Sequence, residues 1–202
     1  MAESVTQRVL GARFAQLDPR LLAYFSAPPE GCVGHGTGVY EEAGSRVRWL
    51  RPLWSWLAWR GVLFPELGRD IPFTTTNTPD GDGLRARRTF EFPGRSRVML
   101  DRMSVVDGEL HDRLGRRGGL EVRLALHVVD GGMRMRSERL WLRLGPLRLP
   151  LPPLAVVELD ERIGPAGRQR VDLRMRAPLL GEVFRYTGSF DYRIAPRQHA
   201  IP

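Results

Sequence analysis

The most constraining feature of this sequence is a period of two in its apolar residues, which begins after Asp70. Successive side chains of a β-strand point to opposite faces, so this period predicts strands with one buried face and one solvated face. The turns between them, such as Asp80 to Gly83, are too short for a crossover helix, and consecutive strands should pair antiparallel. The apolar phase includes Leu84, Ala86, Phe90 and Phe92, then Leu120, Val122, Leu124, Leu126 and Val128, and later Phe184, Tyr186, Phe190 and Tyr192.

The predicted fold is mainly β, in the α+β class. We expect a curved antiparallel meander of about eight strands over residues 70–194, which closes into a barrel or half-barrel. One long apolar run changes phase along its length, because Met133 and Met135 are out of register with Leu140 and Leu142. A phase shift inside one strand predicts a β-bulge or a strongly bent strand.

Residues 1–65 are predicted to be mainly helix and loop. Ser4 is placed to cap a first helix, and Asp18 with Pro19 to begin a second. The glycine-rich stretch from Gly31 to Gly38 excludes a helix, and the segment from Val39 to Trp49 suggests a hairpin.

Four of the five tryptophans lie in residues 49–64. Pro52 suits the first turn of a helix there, in which Leu53, Trp54, Leu57 and Ala58 form an apolar stripe. We expect the N-terminal helices and this tryptophan-rich helix to cover one end of the barrel. The alternative is an interfacial anchor, since tryptophan and arginine beside leucine are typical of a segment that contacts a bilayer surface or a lipid-like ligand.

The length of 202 residues favours a single domain. With 42% hydrophobic and 27% charged residues, the composition is that of a globular protein. A lone cysteine, Cys32, cannot form an intramolecular disulfide and favours the reducing cytoplasm. No apolar run approaches the ~20 residues of a membrane-spanning helix, which argues against an integral membrane protein.

Several short motifs occur in a recognisable order. Asp70-Ile71-Pro72, Arg88 to Arg95, Asp112-Arg113, Pro150-Leu151-Pro152, Val171-Asp172, and Pro178, Gly181, Tyr186 and Gly188 within APLLGEVFRYTGSFDY together resemble the bacterial domain of unknown function 4166 family. The resemblance covers about Phe14 to Tyr192. It implies a domain that occurs alone or attached to oxidoreductase modules, and so points to small-molecule metabolism without assigning a role to any residue.

Metal and cofactor sites find no support in the residue spacing, and none is predicted. His35, His111, His127 and His199 are scattered, with no HxH, HxxxH or CxxC arrangement. The glycines from Gly31 to Gly38 do not fit a dinucleotide-binding fingerprint or its βαβ frame. Cys32 lies three residues from His35 in a glycine-rich stretch, which does not make a nucleophile and its base.

The net charge of +8 comes from 31 basic residues, all arginine, against 23 acidic ones. Most of the arginines fall in the polar phase of the strands, so they describe the outer surface. Acidic residues such as Glu138 and Asp172 are interspersed and no recognition motif is present, which argues against nucleic acid. Binding of a membrane surface or of nucleic acid through this arginine-rich surface is the second alternative function.

The sequence leaves open whether the barrel carries a carboxyl group for acid–base catalysis. Carboxyl groups occur on predicted strands at Glu91, Asp101, Asp172, Glu182 and Asp191. A carboxyl that pointed into an apolar lumen would have a raised pKa and could exchange protons with a substrate. The orientation of Asp101 is ambiguous, because it shares a face with Met99 and Met103.

The leading functional hypothesis is a barrel that binds a hydrophobic small molecule or a lipid-like ligand in a cavity of at least ~300 Å³. A continuous apolar face, adaptable methionines and a tryptophan lid motivate it. The predicted ligand-binding residues are Trp54, Leu57, Phe90, Met99, Met133, Met135, Tyr186 and Tyr192. The first alternative is a cofactor-independent cyclase or isomerase that holds a polyketide-like or terpenoid substrate in the same cavity. An inward ionisable group with a perturbed pKa would favour the enzyme, and a wholly apolar lining would favour carriage.

Overall fold

The alternating segments form strands of one antiparallel sheet that closes on itself. The computed structural model describes residues 3–197, so His199 lies outside the described residues. Its strands are β1 (Cys32–Gly44), β2 (Leu67–Asp80), β3 (Gly83–Phe92), β4 (Arg95–Val106), β5 (Glu109–Leu114), β6 (Leu120–Val129), β7 (Gly132–Leu144), β8 (Leu147–Leu151), β9 (Val156–Ile163), β10 (Gln169–Ala177) and β11 (Gly181–Pro196). Its α-helices are α1 (Val5–Leu10), α2 (Leu22–Phe25) and α3 (Arg51–Arg60), with 3₁₀ turns at Gly11–Gln16, Pro19–Leu21 and Arg48–Leu50.

The barrel consists of ten strands in the order β6-β5-β4-β3-β2-β1-β11-β10-β9-β7, and the pairing of β6 with β7 closes it. The strand β8 pairs with β7 and lies outside the barrel. The mainly β antiparallel barrel is therefore confirmed, with more strands than the eight or so expected. The alternation understates the count because β2 carries the polar run Thr74–Thr76, and β5 carries His111 and Asp112 among its few residues.

The bulge predicted within the long apolar run is confirmed in β7. Arg123 of β6 lies opposite Arg139, while Leu124 lies opposite Ser137, which leaves Glu138 as the extra residue. The residues of β7 before the bulge pair with β9, and those from Leu140 onward pair with β8. The bulge thus separates the part of β7 that pairs with β9 from the part that pairs with the outer strand β8, while β6 pairs with both parts.

The helical segments lie at opposite ends of the barrel, rather than together at one end. At the first end, Asp18 N donates to Gly131 O over 2.8 Å in the β6–β7 turn. At the other end, Arg116 N donates to Arg60 O over 2.8 Å, just after α3. The physical reason is β1, whose thirteen residues extend for roughly 40 Å between α2 and α3. These ends are called the α1 end and the α3 end below.

Local signals at the helix termini are confirmed. The Ser4 hydroxyl caps α1 by accepting from Gln7 N over 3.0 Å, and Gln7 Oε1 accepts in return from Ser4 N over 2.8 Å. Asp18 caps the 3₁₀ turn that begins at Pro19. Gly61 ends α3 in the left-handed conformation, with φ of 75°.

The glycine-rich stretch is a strand, and the hairpin expected from Val39 to Trp49 is not formed. Gly34, Gly36 and Gly38 face inward on β1, because the neighbouring strands place large rings against them. A Cβ on Gly34 would lie 1.5 Å from Tyr192 Oη, and one on Gly36 would lie 3.0 Å from Phe190 Cδ2. The strand then runs through Gly44 between β2 and β11, and Trp49 falls in a 3₁₀ turn.

A cluster of aromatic side chains fills the half of the barrel next to α3. Phe64 lies at its centre, with ring centroids 4.8 Å from Phe90 and 5.1 Å from Phe184. Tyr40 packs edge-on against Phe73 at 4.5 Å. The rings pack closely in this half of the lumen, and the internal cavity formed by residues 3–197 lies nearer the α1 end.

We expect Gly38→Ala to lower the free energy of unfolding by about 2–3 kcal/mol. The new Cβ would lie 2.2 Å from Ser189 O and 2.6 Å from Phe190 Cα, and backbone atoms cannot rotate away. The matched control is Gly164→Ala, whose nearest neighbour is Arg168 O at 3.6 Å, and its stability should stay close to that of the unmodified protein. Urea denaturation measures both, and equal stabilities would contradict the close approach of β1 and β11.

Candidate ligand-binding cavity

A cavity of about 690 Å³ occupies the half of the barrel next to α1 and α2. Strand residues and one residue of α2 supply its inner wall, and loop residues supply its mouth. The inner wall includes Tyr24, Asn77, Ala86, Arg88, Met103, Met135, Leu159 and Glu161, and the mouth includes residues 26–32, Pro79, residues 81–84 and Arg197. The volume lies within the range of small-molecule sites.

The N-terminal helices hold one side of the cavity mouth in place. Ser4 Oγ donates to Phe25 O over 2.6 Å, which ties α1 to the end of α2. Arg8 Nη1 reaches the β2–β3 turn, where it donates to Asp82 O over 3.0 Å and to Asp82 Oδ2 over 3.2 Å. The carboxylate of Asp82 is exposed, so this ion pair across the cavity mouth contributes little to stability.

The inner face of the barrel carries an ion pair. Arg88 of β3 and Asp101 of β4 both point inward, and Arg88 Nη1 donates to Asp101 Oδ1. Burial alone would lower the pKa of Arg88, but electrostatic interactions with Asp101 and with the neighbouring Tyr24, Tyr186 and Asp112 together raise it well above its ordinary value, so the guanidinium stays charged. The ambiguity over Asp101 is thus resolved: it faces the lumen, together with Met99 and Met103.

A second buried carboxyl lies on the next strand. Asp112 of β5 is opposite Met103, a residue of the cavity wall, and its Oδ1 has no hydrogen-bond partner in the described chain. Asp101 Oδ2 is likewise buried and unpartnered there. Burial raises the pKa of Asp112 well above its ordinary value, and the charge of Asp101 raises it further. Burial raises the pKa of Asp101 as well, although the charge of Arg88 and its hydrogen bond act in the opposite direction.

Glu161 of β9 is the carboxyl that lines the cavity itself. Gln169 Nε2 donates to Glu161 Oε2 from the neighbouring strand β10, which fixes the orientation of the carboxyl. Burial raises the pKa of Glu161 to about 7, although the charge of Arg88 and the hydrogen bond from Gln169 act in the opposite direction. Near neutral pH this carboxyl can therefore either accept or release a proton.

Tyr24 closes the cavity from the helical side. Its ring packs edge-on against Phe25 at 5.0 Å and Tyr192 at 4.9 Å. Burial raises the pKa of the Tyr24 phenol well above its usual value, so the hydroxyl stays protonated and can donate a hydrogen bond.

The sequence analysis did not predict the inward-facing charged residues Arg88, Glu161 and Asp112, although the alternation pattern indicates their position. Arg88 occupies the apolar phase of β3, between Ala86 and Phe90, and Glu161 occupies the apolar phase of β9, after Leu159. Asp112 stands in the same phase as Leu110 on β5. A charged residue at a position that the alternation assigns to the interior is the signal that could have found them.

The structure divides the predicted ligand-binding residues between the cavity and the aromatic core. Met135 lines the cavity, and Met133 lies beside it, opposite Glu161. Tyr192 Oη accepts from Asn77 Nδ2 over 3.3 Å and so contacts the wall. The remaining five lie outside the cavity wall: Phe90 and Tyr186 are buried in the aromatic core, Met99 packs against it, and Trp54 and Leu57 cover it from α3.

Other candidate groups lie elsewhere on the chain. His127 is exposed on β6, and His35 Nδ1 lies 3.3 Å from Thr76 Oγ1. His111 faces outward on β5, where its Nδ1 is 2.9 Å from Glu121 Oε1. Cys32 is a free thiol at the mouth of the cavity. Across residues 3–197 there is no group of three or more side chains placed to hold a metal ion.

A closed ten-stranded antiparallel β-barrel with a partly polar internal cavity is the class of protein that these features define. The chain belongs to the family described as Domain of unknown function (DUF4166), whose profile matches residues 17–190. It is 26% identical over 167 residues to Uncharacterized protein YndH of Bacillus subtilis (strain 168), an alignment that covers 77% of this chain and 81% of that protein. No solved structure matches the chain. None of the helices within residues 3–197 has the length and apolar character needed to cross a membrane.

The raised pKa of Glu161 predicts a pH-dependent stability. Between its unfolded pKa of about 4.5 and its folded pKa of about 7, the folded protein keeps a proton that the unfolded chain releases. Raising the pH through this window therefore favours unfolding, and the group costs about 3 kcal/mol by pH ~8. Glu161→Gln can still accept from Gln169, so it should lose about 3 kcal/mol less than the unmodified protein over that range.

Urea denaturation at a series of pH values measures this difference. The control variant is Glu158→Gln, on the outer face of the same strand, which should follow the unmodified protein. Parallel stability curves for Glu161→Gln and the unmodified protein would contradict a buried, titrating Glu161.

Proposed function

We propose that the barrel binds a small molecule with an apolar body and one uncharged polar group. The observation that carries the proposal is the cavity of about 690 Å³, whose wall combines Ala86, Met103, Met135 and Leu159 with polar groups near Arg88 and Glu161. Apolar walls with a few fixed polar groups are the usual composition of small-molecule sites. A cytoplasmic location, expected from the single cysteine, is part of this proposal.

The charge balance of the cavity supports an uncharged polar group on the ligand. Arg88 is already paired with Asp101, so a carboxylate ligand would compete with a buried ion pair for the guanidinium. An ammonium group would find Glu161 only partly ionised near neutral pH. A carbonyl or hydroxyl oxygen can accept from Arg88 or Tyr24 without adding a buried charge.

A second candidate function is the cofactor-independent cyclase or isomerase acting on a polyketide-like or terpenoid substrate in the same cavity. Glu161 is the specific observation that favours it. Holding an apolar molecule needs no ionisable carboxyl, and a buried one destabilises the fold at neutral pH. Perturbed carboxyls inside a cavity are more frequent in active sites than in carriers.

Displacement of the neutral probe N-phenyl-1-naphthylamine tests the binding proposal. We expect 2-decanone and 1-decanol to displace the probe at lower concentration than decanoic acid or decylamine, because desolvating a charged head costs far more than desolvating a carbonyl or hydroxyl group. Tighter binding of the acid would refute the uncharged head group, and no probe binding at all would refute the proposal itself.

Ala86→Phe tests the location. Ala86 points into the cavity and is buried, so the larger side chain should fill it and weaken probe binding at least ~10-fold. The control is Ala15→Phe, a substitution of the same size at an exposed position of a 3₁₀ turn. Near-UV circular dichroism checks that both variants keep their packing, and unchanged probe affinity in folded Ala86→Phe places the ligand elsewhere.

A further inference from the structure

We propose that Glu161 and Arg88 form a proton-transfer site that isomerises an apolar carbonyl compound, with Glu161 as the acid–base group and Arg88 as the partner of the carbonyl oxygen. The inference rests on the proposed function, since it assigns chemistry to the ligand held in that cavity. It also accounts for the buried carboxyl cluster, which an inert carrier would not need.

The two groups line one cavity from different sides of the barrel. Arg88 comes from β3 and Glu161 from β9. Four strands separate them in either direction around the barrel, β2, β1, β11 and β10 on one side and β4 to β7 on the other, so they lie on opposite walls. Both side chains line the same cavity, and the charge of Arg88 acts to lower the pKa of Glu161 across it. A substrate between them would contact both at once.

Arg88 is prepared to stabilise a developing negative charge. Its ion pair with Asp101 uses Nη1, and within residues 3–197 this is the guanidinium's one hydrogen bond. The other N–H groups remain for an oxygen of the substrate. Asp101 Oδ2, in this ion pair, and Asp112 Oδ1, on the next strand, are buried without a hydrogen-bond partner in the described chain, and they are independent signs that the cluster has a role besides stability.

The isomerisation needs no cofactor, because one proton leaves the substrate and one proton returns to it. The Glu161 carboxylate takes a proton from the carbon next to the carbonyl, and the C–H electron pair forms a C=C bond while the carbonyl π pair moves to oxygen. Arg88 donates a hydrogen bond to this enolate oxygen. The protonated Glu161 then returns the proton, either to the same carbon or to the conjugated γ-carbon, and the second outcome moves a double bond.

The substrate class follows from the walls and the chemistry. An apolar ketone, or an enone with an acidic C–H, offers the body that Met103, Met135 and Leu159 would contact and the single oxygen that Arg88 would hold. A carboxylic acid is a poor substrate, because its ionised head resists further charge and competes with Asp101.

Deuterium uptake by 2-tetralone and 2-decanone in D₂O tests the site. Mass spectrometry follows the exchange next to the carbonyl, because the Glu161 proton exchanges with solvent between turnovers. We expect the protein to accelerate uptake above buffer, with a rate that rises with pH to a plateau above about pH 7. Glu161→Gln should reduce the acceleration at least ~100-fold while still binding the ketone. The control Glu158→Gln should retain it.

The outcomes separate this inference from the proposed function. If both ketones displace the fluorescent probe but exchange no faster than in buffer, the proton-transfer site is refuted and the binding function stands. If Glu161→Gln is folded and as active as the unmodified protein, Glu161 is not the acid–base group. If neither ketone displaces the probe, the proposed function fails together with this inference.

A different observation carries a second inference: we infer that the α3 end of the barrel docks on an anionic lipid bilayer. Large apolar side chains are exposed there in unusual number. Trp49 and Trp59 are 65% and 68% exposed, and the same end presents Leu53, Trp56, Leu179 and Leu180. Tryptophan beside leucine is typical of side chains that lie at a membrane interface.

The helix is fixed across this end rather than loosely attached. Trp54 Nε1 donates to Ser45 Oγ over 3.0 Å, and Ser45 Oγ donates to Val183 O over 2.6 Å, next to the β10–β11 turn. In that turn Leu179 adopts φ of 65°, a left-handed conformation that leucine rarely takes. Because Leu179 is fully exposed in this conformation, packing against the rest of the chain does not stabilise it.

Charge distinguishes a bilayer from a second copy of the chain. Residues 43–65 contain four arginines and no acidic residue. Arg48, Arg51 and Arg60 have no carboxylate within salt-bridge distance in the described part of the chain. A two-fold interface would place these arginines against their own copies, whereas anionic headgroups would neutralise them.

Co-sedimentation with vesicles tests the docking surface. We expect binding to phosphatidylcholine vesicles that contain about 30% phosphatidylglycerol, weaker binding to phosphatidylcholine alone, and loss of the difference at ~0.5 M salt. The double variant Trp56→Ser with Trp59→Ser should bind at least ~10-fold less. The control is Val106→Ser, an exposed apolar residue at the α1 end, which should bind like the unmodified protein.

Three results would overturn the bilayer inference. Equal binding of the double variant and the unmodified protein would remove the tryptophans from the surface. Absence of binding to the anionic vesicles would refute it directly. A dimer in sedimentation equilibrium that the double variant abolishes would assign the face to a second copy instead.

Discussion

The pairing of β6 with β7 is the contact on which the structure depends, because it converts an open meander into a closed barrel. It works only since β7 has neighbours on both sides before its bulge: Met135 lies opposite Leu126 of β6 and opposite Leu159 of β9. Beyond Glu138 the strand keeps β6 as one neighbour and pairs with β8 in place of β9 on the other side. Closure removes the sheet edges and creates an interior whose contents must be satisfied without bulk water.

The interior divides into a packed half and a hollow half, and the glycines of β1 take part in this division. Gly34 and Gly36 let Tyr192 and Phe190 lie flat against the wall, which leaves the centre of the lumen open near the α1 end. At the α3 end, Phe64 enters from the loop after α3 and fills the equivalent space. The barrel therefore has a packed hydrophobic core at the α3 end and an internal cavity at the α1 end.

The buried ionisable groups lower the free energy of unfolding. Burial raises the pKa of Asp101 in spite of its pairing with Arg88, and Asp112 and Glu161 add two further carboxyls whose pKa values burial raises. Replacing such groups with apolar residues of similar size is often stabilising. A fold that keeps them next to a cavity is consistent with a role in handling a ligand, as both proposals for the cavity require.

The strand class, the antiparallel order and the bulge in β7 followed from the sequence, because side-chain alternation and turn residues are local properties. Helix starts at Ser4 and Asp18 were equally local. The cavity was not predictable in the same way. Alternation marks which positions face inward, but it does not tell whether Phe90 and Tyr186 pack solidly or whether Met135 and Leu159 leave space between them.

Taken alone, the sequence determined a mainly β barrel, a tryptophan-rich helix and an arginine-rich outer face. Only the tertiary structure decided that Arg88, Asp101, Asp112 and Glu161 meet inside, that Tyr24 closes the cavity over them, and that the helices occupy opposite ends. The physical reason is distance along the chain. Glu161 and Arg88 are brought together by closure of ten strands, an event that no local pattern encodes.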